Sequence, residues 1–163
     1  MKKGIIIYYS FEGTTKYVSE LIKNKLDFEI LEIKPVTELK SKGFSKYIWG
    51  VSQVFMKKEP ELDKYENNFP RYKNIIIASP VWAGTFAPPI KSFLSKERFF
   101  LQDKNIALIA CHDGGPGSVF NNFKKELKNC NFVGELALEK ARKNLENTEN
   151  IIDEWIGDTF HEL

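Results

Sequence analysis

Apolar runs and amphipathic stripes alternate along the chain. Residues 4–9 form an apolar run with no polar break, which predicts a strand buried on both faces. Tyr17, Val18, Leu21, Ile22 and Leu26 follow at helical spacing over 14–26. FEILEI (28–33) is rich in strand formers, and NIIIAS (74–79) is a second continuous apolar run. Ile90, Phe93 and Leu94 sit behind Pro88 and Pro89, a sequence that starts a helix. NIALIAC (105–111) predicts a further buried strand, and Ser118 stands where it would cap a helix carrying Val119, Phe120, Phe123 and Leu127. FVGELAL (132–138) supplies a last strand, and Ile151, Ile152, Trp155, Ile156 and Phe160 repeat the spacing of the first helix.

Strands alternating with helices imply an α/β fold: a three-layer, doubly wound sheet of five parallel strands. Residues 1–163 read as a single domain, with no linker, internal repeat or low-complexity tract. Between the second and third strands, Phe44, Tyr47, Ile48, Val51 and Phe55 predict a helix within 41–62. Lys42, Lys46, Lys57 and Lys58 would form its outer face, which reads as structural filler rather than a docking surface.

Composition narrows the class. Twenty-four Lys and Arg against 22 Asp and Glu give a net charge of +2, too balanced for a nucleic-acid binder. Cys111 and Cys130 form no CxxC pair, and two isolated thiols suit a reducing compartment. The short apolar run behind the first residues is not a signal peptide, and no segment approaches a membrane span. The expectation is a cytoplasmic protein.

In an open parallel sheet, ligands bind beyond the carboxyl ends of the strands. Three such loops stand out. Ser10, Phe11, Glu12, Gly13, Thr14 and Thr15 bring hydroxyls and a flexible backbone to a helix N-terminus, where unpaired N–H groups attract phosphate. The same residues also suit an ordinary capped turn. Pro80, Val81, Trp82, Ala83, Gly84 and Thr85 place a tryptophan and a glycine turn before a Pro-started helix. Trp82 either lies against a planar ligand or folds back into the core. His112, Asp113, Gly114, Gly115 and Gly117 form a glycine-rich stretch whose backbone suits close approach to a ligand, or a surface turn. Neither GxxxxGK[ST] nor GxGxxG is present. Taken together, the loops fit a phosphorylated planar ligand such as a mononucleotide with a large ring.

At these residues the chain resembles the flavodoxin family over almost its full length. Ile6, Ile7, Tyr8, Ser10, Gly13 and Thr15 match that family's phosphate-loop signature. Glu12 stands where many flavodoxins have Thr, and Ser19 where the signature often ends in Ala. The resemblance implies strand order 2-1-3-4-5 and non-covalent FMN. Ser10 to Thr15 would hold the phosphate, with the Glu12 side chain facing solvent. Pro80 to Thr85 would flank the isoalloxazine, with Trp82 stacking and a backbone group near Gly84 at flavin N5. His112 to Gly117 would line the other side, without the tyrosine many flavodoxins carry there. His112 is adjacent to that site and of a type that titrates near neutrality, although solvent can serve an exposed flavin edge.

The implied function is electron transfer, and the alternative is an NAD(P)H-dependent quinone or flavin reductase on the same fold. A binding module that has lost FMN is a third reading. Expected partners are a redox protein or a small quinone-like acceptor, with no nucleic acid and no membrane. The chain is expected to be a monomer or weak dimer, with no metal and no conventional catalytic residue.

Overall fold

The computed structural model describes residues 4–37 and 59–161. The helix expected within 41–62 falls mainly outside them; residues 59–62 are not helical, and Leu62 forms an isolated bridge with Pro35. Strand β1 (Gly4–Tyr8) leads into α1 (Thr14–Leu26) and β2 (Glu29–Glu32). After a 3-10 turn at Phe69–Arg71 come β3 (Asn74–Trp82), a two-residue β4 (Thr85–Phe86) and α2 (Pro88–Glu97). Strand β5 (Asn105–His112), α3 (Val119–Glu126), β6 (Asn131–Glu139) and α4 (Leu145–Phe160) complete the order.

The main sheet runs β2-β1-β3-β5-β6 with every neighbouring pair parallel. Strand β4 is off this path, pairing antiparallel with the end of β3. The five long strands therefore have the expected order 2-1-3-4-5, and the short hairpin is an addition that the apolar pattern does not announce.

Period-two alternation sorts the strand side chains into two cores. Ile5, Ile7, Ile75, Ile77, Ile106 and Leu108 face one side, covered by Ile90, Phe93 and Leu94 of α2 and Val119 and Phe123 of α3. Ile6, Tyr8, Ile76, Ala78, Ala107 and Ile109 face the other, covered by Val18 and Ile22 of α1 and Ile152, Trp155 and Phe160 of α4. Burial on both faces is why the central strands read as unbroken apolar runs.

Local signals set the helix starts. Pro88 and Pro89 occupy the first turn of α2, where a missing N–H costs nothing. The Asn144 side chain accepts from the Asn147 N–H at 3.1 Å and caps α4. Ser118 occupies the position before α3 but makes no side-chain cap. No helix among the described residues is long and apolar enough to cross a membrane.

Candidate functional site

The loops after β1, β3 and β5 meet above the carboxyl end of the sheet. The first runs from Tyr9 to Gly13. Gly13 has φ +90° and precedes α1 with no side-chain cap. A helix leaves its first N–H groups without intrahelical partners, so the opening turn of α1 is ready for an acceptor from outside it. Ser10 Oγ is fully buried and has no hydrogen-bond partner among the described residues. Phe11 and Thr14 are half-buried and Glu12 is exposed. Thr15 is 1% exposed, its side chain bonded to the Cys111 thiol. Burial pushes that thiol up to about 12, against the smaller effect of Thr15. Cys111 is therefore an inert core group.

The second loop is a tight hairpin. Ala83 and Gly84 have φ +49° and +75°, and Val81 and Trp82 pair with Phe86 and Thr85. Two positive φ values in a two-residue loop match the primed turns whose twist suits a hairpin. Ser79 Oγ accepts from the Ala87 N–H at 2.9 Å, and Asn122 Nδ2 donates to Thr85 Oγ1 at 2.9 Å. Pro80 and Val81 stay partly exposed.

Trp82 is not an exposed wall. It is 8% exposed and belongs to the core, edge to face with Tyr9 at 5.8 Å and Phe11 at 5.5 Å. The hairpin returns its strand over the sheet, and burying an indole among aromatic rings is favourable. The contact also ties the second loop to the first.

The third loop is glycine-rich because it packs backbone on backbone. Gly117 has φ +57°, and a Cβ there would lie 2.5 Å from Gly84 Cα. The Ser118 N–H donates to the Gly84 carbonyl at 2.8 Å. That carbonyl bond joins the second and third loops. Gly114 and Gly115 have open space where a side chain would be, and Asp113 is exposed. His112 Nδ1 accepts from the Gly115 N–H at 2.9 Å, so its proton is assigned to Nε2.

A fourth segment joins the site, and it carries no glycine. Between β6 and α4, Arg142 Nη1 donates to the Glu12 carbonyl at 3.0 Å. Its position at the carboxyl end of a strand was the available signal. Nearby, Lys140 at 3.0 Å holds the Glu139 carboxyl below its ordinary value. The assembled features suit a small anion at the start of α1.

No family model matches the chain. A candidate flavoprotein from Bacteroides eggerthii superposes with a TM-score of 0.80 at 22% identity, covering 96% of this chain and 97% of that one. A flavodoxin from the domain Archaea gives 0.57 at 13% identity over 93% and 94% of the two chains. The fold is flavodoxin-like. A Lactobacillus acidophilus flavoprotein, solved in complex with FMN, gives a TM-score of 0.72 at 24% identity, covering 95% of this chain and 99% of its own.

Proposed function

We propose that this chain binds FMN and works as an electron-transfer protein of flavodoxin type. The observation that carries the reading is the buried Ser10 Oγ, unpartnered among the described residues, beside the uncapped start of α1. Leaving a buried hydroxyl unpaired costs about 1–3 kcal/mol, and a phosphate oxygen would remove that cost. The residues fit the group on two further grounds. Gly13 gives the loop its left-handed turn, and the opening N–H groups of α1 favour negative charge. The solved FMN complex of a protein with the same fold supports the choice of ligand.

In this reading, Ser10 and the backbone of Phe11 to Thr15 bind the phosphate. Pro80 to Thr85 and His112 to Gly117 border the ring and exclude water from part of it. Trp82 backs Phe11 rather than presenting a free face. When bound, the flavin supplies the redox chemistry; the protein holds and orients it. Gly84 contributes by closing the gap between two loops, since its carbonyl already accepts from Ser118. We place the protein in the cytoplasm, as a monomer or weak dimer that exchanges electrons with a redox protein or a small quinone-like acceptor.

One observation favours the reductase as a second reading. The exposed, ring-free stretch at Asp113 to Gly114 leaves room for a nicotinamide or quinone against a bound flavin. The decisive experiment starts with the visible spectrum of the purified protein and its melting temperature with and without added FMN. A yellow protein, or a melting temperature raised by FMN, is expected, because a native-state ligand must stabilise the fold. A colourless protein whose melting is indifferent to FMN overturns the proposal. Steady NADPH oxidation with a quinone assigns the enzyme, and reduction only through a separate reductase assigns the carrier.

A further inference from the structure

Arg142 stands on a segment fastened at several points. The Lys140 N–H donates to the His112 carbonyl at 2.8 Å, and the Lys143 N–H donates to the Lys140 carbonyl at 2.8 Å. The buried Thr148 hydroxyl donates to the Ala141 carbonyl at 2.8 Å. From this base the guanidinium reaches the loop after β1, where Nη1 meets the Glu12 carbonyl at 3.0 Å. A Cβ on Gly13 would lie 3.4 Å from that same nitrogen.

Two consequences follow from elementary chemistry. A trans peptide is planar, with its C=O and N–H pointing in opposite directions. Holding the Glu12 carbonyl toward Arg142 therefore turns the Gly13 N–H the other way and fixes the peptide that opens α1. A guanidinium also carries five N–H donors and a permanent charge, and this bond uses one donor. Between Ser10 and Thr15 the only ionisable side chain is Glu12, whose negative charge is unfavourable for an anionic ligand. Arg142 offsets it.

We propose that Arg142 is a positioning and specificity residue through which the site favours phosphorylated over unphosphorylated flavin. The proposal rests on the FMN reading above. It joins two independent features: the Arg142 bond to the Glu12 carbonyl and, in the same loop, the buried Ser10 Oγ that has no partner among the described residues. Arg142 acts through the Glu12–Gly13 peptide and by its charge, so its loss is felt by the phosphate and not by the ring.

The test compares dissociation constants for FMN and riboflavin at low ionic strength in the unaltered protein, Arg142→Ala and Arg142→Lys. Ligand-free melting temperatures are measured beside them. Arg142→Ala is expected to weaken FMN about fivefold, the upper scale of an exposed charge interaction, and to leave riboflavin unchanged. Arg142→Lys should recover part of the loss. An equal loss for both ligands, or an unchanged FMN affinity, overturns the proposal. Should Arg142→Ala fail to fold, the salt dependence of the FMN-to-riboflavin ratio in the unaltered protein decides. A ratio that falls with added salt supports a charge-based preference, and a flat ratio overturns it. An unaltered protein that binds neither ligand removes the FMN reading itself. Binding of FMN with its preference intact in Arg142→Ala removes only the role of Arg142.

Discussion

At the amino end of the sheet, Asn74, Asn105 and Asn131 open β3, β5 and β6 in matched register. Their side chains form a ladder, with Asn105 Nδ2 donating to Asn74 Oδ1 at 2.9 Å and Asn131 Nδ2 donating to Asn105 Oδ1 at 2.8 Å. Arg71 meets Glu29 at 2.6 Å nearby, and Tyr72 bonds to the same carboxylate. The carboxyl end differs. There Ser10 Oγ is buried without a partner among the described residues, and α1 begins with no side-chain cap. Backbone conformations divide the same way. The left-handed residues in the turns leading into β2, β5 and β6 are Asp27, Asp103 and Asn129, types that tolerate that conformation. At the carboxyl end they are mainly glycines, with Ala83 and Lys140. The amino end spends its polar groups on itself. The carboxyl end holds its backbone in place and leaves donors for something else, as ligand crevices beyond the strand ends of an open parallel sheet require.

The sharpest way to break this comparison is at the backbone contact between two of the carboxyl-end loops. Gly117→Ala would place a Cβ 2.5 Å from Gly84 Cα in a residue with φ +57°. Neither atom belongs to a flexible side chain, so strain and displacement add. The expected cost is about 3 kcal/mol by urea unfolding. Gly114→Ala, which meets nothing within 4 Å, should cost less than about 0.5 kcal/mol. Equal costs for the two would mean that the loops are not held together by this approach.

The amino end predicts a smaller loss of a different kind. Asn105→Ala removes both bonds of the ladder, one donated and one accepted. At about 1 kcal/mol net per bond, a loss near 2 kcal/mol is expected, with FMN affinity unchanged because the ladder lies at the far end of the strands. A loss below about 0.5 kcal/mol would show the ladder to be solvent-compensated and the contrast between the ends to be weaker than the geometry suggests.

Much of this was legible in the chain. The three strands at or beside the centre read correctly because burial on two faces leaves no polar interruption: 4–9 became β1, 74–79 became β3 and 105–111 became β5. Helix α1 matched its stripe because Gly13 and Asp27 mark its ends. The hairpin strand β4 was hidden, since its turn uses Ala83 and Gly84 rather than Asn-Gly, and two residues carry no periodicity. The first turns of α4 were hidden too. Leu145 to Asn150 are exposed except Thr148, so only the Asn144 cap announced them. At the site, glycine content pointed to loops that the fold brings together at the carboxyl end, but Trp82 was ambiguous, because an indole before a turn suits a core as well as a ligand face. Arg142 lay 130 residues from its partner in a loop with no glycine, and only the register of β6 brings it to Glu12.

Ser10 offers the smallest effect and the most direct test of what separates the two ends, because the sign matters more than the size. In the folded protein its Oγ is buried and unpartnered among the described residues. In the unfolded chain the hydroxyl is hydrated, so folding costs its desolvation with no return. Ser10→Ala removes that cost but also the packing of the Oγ, so ligand-free stability should rise by up to about 1 kcal/mol. On the proposed function the same change deletes a donor to phosphate, so FMN affinity should fall. Urea unfolding with and without saturating FMN therefore gives a gain in one series and a loss or reversal in the other. Ser19 supplies the control. Its Oγ is also buried without a partner among the described residues, but it lies within α1 and is fully buried. Ser19→Ala should raise stability on the same scale in both series, by less than about 1 kcal/mol. If Ser10→Ala instead destabilises the ligand-free protein, its hydroxyl already serves the fold, and the carboxyl end is as self-satisfied as the asparagine ladder at the other end of the strands.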